Sequence, residues 1–433
     1  MGYVPAPSRG ALDIQGDTPV AKPNRAWWDI NSGRLLRYDD LYLDEWVPVG
    51  EPSPVVGYHA YAAGRALPGA VQSVAIGEPL TLAGSDAIAI GYGVDGSGSN
   101  AVAIGLDALG TGTYDAIAIG NAATALESYA TSIGAGATVD GGNYGTAIGA
   151  SAAAHATNAT ALGGAATVAA LADNAVAIGN LATASGVNNV ALGNSASSSD
   201  TNATAVGNSA TASGTNATAV GQGSSAAASG SAAFGDTASA VSARSVAIGN
   251  AAGATGLQAI AVGVLASTGA DSAIAIGEAA TAAGLQATAI GYQANASLEG
   301  VVAIGMMAEA IGTGTFSTVI GYGVQAVATE SVIIGYVSQA SGTSPRAVAI
   351  GSDAGVNGAD GIAIGSVSRA VGANSIAIGN GATSVANRAA VKADELRVDP
   401  SSLASSSLVL HSPDGVAWRL SIDNAGAVSA ALA

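Results

Sequence analysis

Along most of the chain, short apolar bursts alternate with small polar residues in a fixed rhythm. A pentapeptide of the form x-Val/Ile-Ala-Ile/Val-Gly recurs from residues 73–77 to residues 375–379. Its closing glycines include Gly77, Gly91, Gly105, Gly193, Gly207, Gly249, Gly305, Gly321, Gly365 and Gly379; of the 21 intervals between successive ones, 16 are 14 residues and the rest 15 or 16. Whatever forms must therefore come back to the same place every 14 residues or so. Within one unit, such as residues 202–214, two strand-length pieces with period-2 alternation are separated by glycine or small polar residues. That pattern predicts two β-strands per repeat and excludes a helix.

Pleat geometry sorts the side chains. In Val246-Ala247-Ile248 the two branched side chains share one face and the alanine takes the other. The second strand offers small groups, Ala210 and Ala212 or Ala280 and Ala282. The expectation is a flattened coil in which branched side chains point inward to meet those small groups. Alanines such as Ala75, Ala103, Ala247 and Ala275 are then left as an outward apolar stripe. The repeat glycine, and often a second one seven residues on (Gly186, Gly214, Gly256, Gly284, Gly342, Gly372), permits the positive φ of a tight corner. Stacked in register at about 4.8 Å per coil, the repeats predict a parallel β-solenoid roughly 100 Å long. An apolar stripe of that length exceeds what a monomer leaves in water, and lateral association into a closed cyclic assembly removes it. Asparagines five residues before seven of the glycines (Asn100, Asn158, Asn174, Asn188, Asn202, Asn216, Asn374) read as corner residues bonding their own backbone, in preference to an ion-binding column.

Composition narrows the function. With 61 Gly, 2 Phe and 10% charged residues, the chain is unlike an ordinary globular domain. A net charge of −17 argues against nucleic acid as a partner. No apolar run approaches the ~18 residues of a spanning helix, so no membrane insertion is expected. The start lacks the basic and apolar regions of a secretory leader, which predicts synthesis in a cytoplasm without a signal peptide. There is no cysteine, hence no disulfide and no thiolate metal site.

Three regions follow. Residues 1–69 hold Trp27, Trp28, Tyr38, Tyr42 and Trp46, expected as the aromatic core of a small β module, and a Pro-rich linker at 48–54. Residues 70–386 form the solenoid. Residues 387–433 form a β-rich cap or tip, with turns at 412–415 and 423–426, that protects the open strand edge.

Candidate chemistry is sparse. Asp86 with Asp115, and Asp271 with Glu278, are the carboxylate pairs a glycan-cleaving enzyme would need, but they sit isolated among small residues and read as solvated corners. His59, His155 and His411 lack metal-ligand spacing, and no cofactor is expected. Asp95-Gly-Ser-Gly98 has no calcium-binding period around it. Thr201, Thr204, Thr211, Thr215 and Thr218 suggest a threonine face for ice, a reading set aside because the threonines do not persist at fixed positions in other coils. Asn-x-Thr/Ser at Asn158, Asn202, Asn216 and Asn295 reads as repeat corner. The aromatic-richest part of the solenoid surrounds two 16-residue coils and supplies the candidate receptor contacts Met306, Met307, Phe316, Tyr322, Tyr336 and Arg346; His411 and Trp418 add candidates near the C-terminus.

The strings Ser245-Val-Ala-Ile-Gly-Asn, Asn374-Ser-Ile-Ala-Ile-Gly-Asn and Asn174-Ala-Val-Ala-Ile-Gly-Asn resemble the head repeat of YadA-type trimeric autotransporter adhesins. The resemblance implies a left-handed parallel β-roll with 14-residue coils, a homotrimer, and binding to host surfaces without catalysis. The chain departs from that family in showing no signal peptide, neck motif, long stalk or membrane barrel. Its flanks resemble bacteriophage tail fibres instead: Trp27-Trp28-Asp29 with Gly33-Arg34-Leu35, Tyr38-Asp39 and Trp46 is similar to a module near fibre N-termini, and residues 391–398 and 408–426 resemble a terminal segment of tail proteins from phages of actinobacteria. These resemblances imply a virion tail fibre whose partners are itself, tail or baseplate proteins, and a host cell-surface glycan or protein. A passenger fragment of a bacterial trimeric adhesin and a glycan-degrading tailspike are the alternatives.

Overall fold

The structure, a computed structural model, describes residues 73–77 and 81–392 with their side chains and, outside them, only the backbone of short strands. No helix forms among the described residues, so none is long and apolar enough to cross a membrane. Residues 73–392 are a parallel β-solenoid of about 22 turns.

One coil stands for all. Arg244 turns the first corner in the left-handed backbone region at φ 57°. The long strand Val246–Ile248 follows, and Gly249, at φ 132°, begins the second corner, which Ala251 completes at φ 51°. The short strand Gly253–Ala254 then leads to the next first corner at Gln258. Each corner is closed by a backbone bond three residues long, Ser245 N to Ser242 O at 3.2 Å and Ala252 N to Gly249 O at 3.3 Å. Glycine is required at Gly249: a Cβ there would lie 2.4 Å from the Gly263 carbonyl oxygen of the next coil, in a region of φ that L-residues rarely adopt.

Coils stack in strict register. Val246, Ala247 and Ile248 pair with Ala232, Ala233 and Phe234 below and with Ile260, Ala261 and Val262 above. The corners pair as well, since Arg244 N donates to Ser229 O at 3.0 Å and Ala251 N to Asp236 O at 2.8 Å. Both strands and both corners thus satisfy their backbone groups on the neighbouring coil, which lets so thin an object exclude water from its peptide bonds. The long-strand ladder starts where Tyr61–Gly64 pairs with Val74–Gly77 and ends on Ala389–Val391.

The interior reverses the expectation. Ala75, Ala103, Ala247 and Ala275 are fully buried and point into their coils, facing the buried alanines on and just before the short strand, such as Ala254 and Ala252. The branched residues flanking them, Val246 and Ile248, lie on the outer surface, with Ile248 41% exposed. The interior gap admits a methyl from each sheet and little more, so close packing selects the small residues for it. Larger buried groups, Val139, Val168, Val301, Val356 and Ile333, interrupt this alanine core without changing its register.

Variation in coil length is confined to one corner. The step from long to short strand is constant, Ile104 to Leu109 and Ile304 to Glu309 alike. The extra residues of the 16-residue coils fall between short strand and next long strand, between Val168 and Val176, Ala310 and Thr318, and Ala340 and Val348.

Outside the solenoid, strands Leu12–Gln15, Ala26–Asp29, Arg34–Asp39 and Glu45–Pro48 form one sheet, the first pair parallel and the rest antiparallel. Leu408–His411, Ala417–Ile422 and Val428–Leu432 form an antiparallel sheet. The aromatic core expected among Trp27, Trp28, Tyr38, Tyr42 and Trp46, the linker at 48–54, and the turns at 412–415 and 423–426 lie outside the described residues.

Candidate interaction surfaces

The two sheets present opposite chemistry. On the outer face of the long strands, the last strand position runs from Ile76 to Ile378 with an isoleucine, leucine, valine or phenylalanine in every coil. The first position of the same strands adds valine, isoleucine and threonine. The stripe is two residues, about 7 Å, wide and roughly 100 Å long. That exceeds the few hundred Å² of contiguous apolar surface a monomer commonly leaves exposed. The residues predicted to form the outward stripe, the alanines, are inside it. A larger and more strongly apolar stripe takes their place.

The outer face of the short strands is polar. Thr124, Thr138, Thr167, Thr183, Ser197, Thr211, Ser225, Ser239, Ser267 and Thr281 stand in one column along the stack. This corrects the reading that threonines do not persist at fixed positions. Thr204 and Thr218 belong to the long strands and Thr201 and Thr215 to the corner before them, but Thr211 is part of a column that spans many coils. Its hydroxyls turn back on the backbone, as when Thr124 Oγ1 donates to Ala122 O at 3.3 Å and Thr167 Oγ1 to Ala165 O at 3.3 Å, and Ala153 and Gly253 interrupt it.

The predicted corner asparagines do occupy corners. Asn100, Asn158, Asn174, Asn188, Asn202, Asn216 and Asn374 all have positive φ. From Asn158 to Asn216 the side chains bond one another from coil to coil, Asn174 Nδ2 to Asn188 Oδ1 at 3.2 Å, Asn188 to Asn202 at 3.0 Å and Asn202 to Asn216 at 3.0 Å, while Asn100 bonds Asp115 and Asn374 bonds Asn387, where bonds to their own backbone were expected. A second ladder, Asn208 to Asn194 to Asn180, climbs the other corner.

The candidate receptor residues divide between two edges. Tyr292, Met306, Tyr322 and Tyr336 each follow a repeat glycine and form one exposed column over four successive coils, with the rings of Tyr322 and Tyr336 stacked at 5.1 Å. Met307 stands beside them. Phe316 and Arg346 sit across the long strand, on the corner where coil length varies. There Arg346 makes a two-pronged ion pair with Asp360, Nε to Oδ1 at 2.6 Å and Nη2 to Oδ2 at 2.8 Å. The hydrogen bond and charge of Arg346 hold the Asp360 carboxyl below its usual value, and Asp360 raises the guanidinium in return. A second tyrosine stack, Tyr129 on Tyr144 at 4.7 Å, lies on the same corner column as Phe316 and was missed in the sequence. The signal for it was the interval of 15 residues between the two tyrosines, one coil. His411 and Trp418 lie on paired strands, with their side chains outside the described residues.

Asp86, Asp115, Asp271 and Glu278 are exposed, and Asp86 and Asp115 sit at corners. His155 Nδ1 contacts Asp140 Oδ1 on the coil below. No group of three or more histidines or carboxylates is placed to hold a metal among the described residues.

The family described as YadA head domain repeat (2 copies) matches the chain at residues 114–137, across 170–238 and 240–306 in overlapping pairs of coils, and across 343–389. Over those residues the solenoid is similar to YadA head repeats. No curated protein matches the chain.

Proposed function

We propose that the protein is a homotrimeric, non-catalytic adhesive fibre that serves as the tail fibre of a bacteriophage. The observation that carries the trimer is the unbroken column from Ile76 to Ile378 on one face of the solenoid. Because it runs the length of the stack, copies of the chain side by side bury it against one another without tilting, and a cyclic arrangement closes where a flat one keeps adding chains. The opposite face, lined with threonine, serine and amides, stays in water. The similarity to head repeats supports the number three and the adhesive role.

The assignment to a virion rests on the flanks. In this reading residues 1–54 join tail or baseplate proteins, the solenoid is a stiff spacer, and the distal third or the C-terminal tip touches a host-surface glycan or protein. Several fibres per particle and three chains per fibre convert weak single contacts into firm attachment. A bacterial surface adhesin draws equal support from the head repeats.

Two measurements test the proposal. Sedimentation of the full chain is expected to give a three-chain species, and Ile248→Asp with Ile276→Asp to shift it to smaller species that keep their β-rich circular dichroism. A wild-type chain sedimenting as a folded monomer overturns the trimer. Antibodies to each terminus, imaged on intact phage particles, are expected to label the tail tip; label on bacterial envelopes and none on particles decides for the surface adhesin.

A further inference from the structure

We propose that the polar face of the solenoid carries a glycan-binding groove centred on Glu309, specific for a neutral oligosaccharide running parallel to the rod. The inference rests on the adhesive reading above and gives it a site. A groove of about 450 Å³ is cut into the short-strand face over four successive coils. One wall is the threonine column's continuation, where Asn295, Glu309 and Gln325 follow Thr281 and replace the small hydroxyls found elsewhere. The other is the corner column, where Gln293 and Met307 stand between the short residues Ala279 and Gly323. Those two short residues open the ends of the groove.

Its chemistry is that of a hydroxyl-rich ligand. Asn295 Nδ2 and Gln325 Nε2 donate to the two Glu309 oxygens at 3.2 and 3.3 Å, and Asn295 Oδ1 accepts from Ser297 Oγ, which orients both amides and leaves the Gln325 carbonyl oxygen, the second N–H groups and the remaining carboxylate lone pairs for a ligand. Planar side chains that donate and accept side by side match vicinal hydroxyls, each of which does both. Four coils span about 14 Å between first and last, the length of a short oligosaccharide and too long for a single ring. Met307 and the adjacent column of Tyr292, Met306, Tyr322 and Tyr336 offer the apolar surface against which C–H faces of sugar rings pack.

Two features select a neutral ligand. The groove contains a carboxylate and no cationic side chain, and the chain's net charge of −17 repels polyanions. The groove also remains open in the assembly, because it lies on the face opposite the apolar stripe.

The test uses the full-length fibre, titrated calorimetrically with mannan, galactan and dextran, with hyaluronate as the acidic comparison and polylysine as the basic one. At least one neutral glycan is expected to bind, with Glu309→Ala and Asn295→Ala each lowering affinity fivefold or more. Thr124→Ala, on the same column many coils away, is expected to change nothing. Absence of binding to all three neutral glycans overturns the groove, as does affinity unchanged in both groove variants, or preference for hyaluronate or polylysine. Sedimentation and circular dichroism establish that the variants assemble. Adhesion of the same proteins to host cells separates the two levels: adhesion that survives both groove variants removes the groove and leaves the adhesive fibre standing, whereas a wild-type fibre that adheres to no cell removes the adhesive role whatever the calorimetry gives.

Discussion

Ala247 and Ile248 are neighbours on one strand and face opposite ways: the alanine methyl is sealed inside its coil while the isoleucine is 41% exposed on the outer surface. The larger apolar group is on the outside because the space inside has the width of two methyls. Its outward position makes sense only in an assembly.

Enlarging the inner group should therefore damage the fold more than trimming the outer one. Ala247→Leu forces a branched side chain against Ala252 and Ala254 and is expected to cost at least 1–3 kcal/mol, the usual penalty of overpacking. Ile248→Ala is expected to leave the coil intact and weaken association. Chemical denaturation and sedimentation of the two variants check this; an Ala247→Leu protein as stable as wild type would falsify the alanine interior.

Asn189 gives a prediction of the opposite sign. It occupies an inward position held by alanine or serine in most other coils; its Oδ1 accepts from Ala203 N at 2.9 Å, but its buried Nδ2 has no partner. An unpaired buried donor costs about 1–3 kcal/mol. Ala203 N also reaches Asp200 O at 3.1 Å, so removing the asparagine does not orphan it. Asn189→Ala is expected to raise the thermal midpoint, and a fall would show that the amide contributes more than its unpaired N–H takes away.

The pair Arg346–Asp360 predicts a pH signature. Its hydrogen bond to Arg346 lowers the Asp360 carboxyl from the ordinary value of 3.8. A carboxyl depressed on folding contributes stability that is fully present above its unfolded value and is lost as pH falls through the folded one. The pair is exposed, so salt screens it and the contribution is small. The thermal midpoint of wild type should exceed that of Asp360→Asn at neutral pH, and the gap should close as the solution is acidified below pH 3.8. A gap that widens toward acid contradicts the assignment.

Much of this architecture was legible in the repeat. The spacing of Gly77, Gly91 and Gly105 announced coil length, the alternation in Val246-Ala247-Ile248 announced strands, and both are present. Which face of that alternation is inward was not legible, because period two defines two faces without ranking them. The habit of placing the larger apolar group inside fails when the coil is too thin to hold it. The threonine column was hidden for another reason: intervals of 15 and 16 residues shift Thr138, Thr167 and Thr183 out of a strict 14-residue count, although the extra residues enter at one corner and leave the columns aligned. The groove was invisible to any motif, since Asn295, Glu309 and Gln325 meet through stacking and lie 14 and 16 residues apart.

That every coil pairs with its neighbours through the same atoms also bears on how the shaft changes over generations. Excising residues 203–216 joins Asn202 to Ala217, and the strand Val190–Leu192 then meets Thr218–Val220 in the register it formerly shared with Thr204–Val206. Recombination between near-identical stretches of the gene can therefore lengthen or shorten the fibre in increments of one rung, about 4.8 Å, a ruler whose graduations are interchangeable and whose two ends are left untouched.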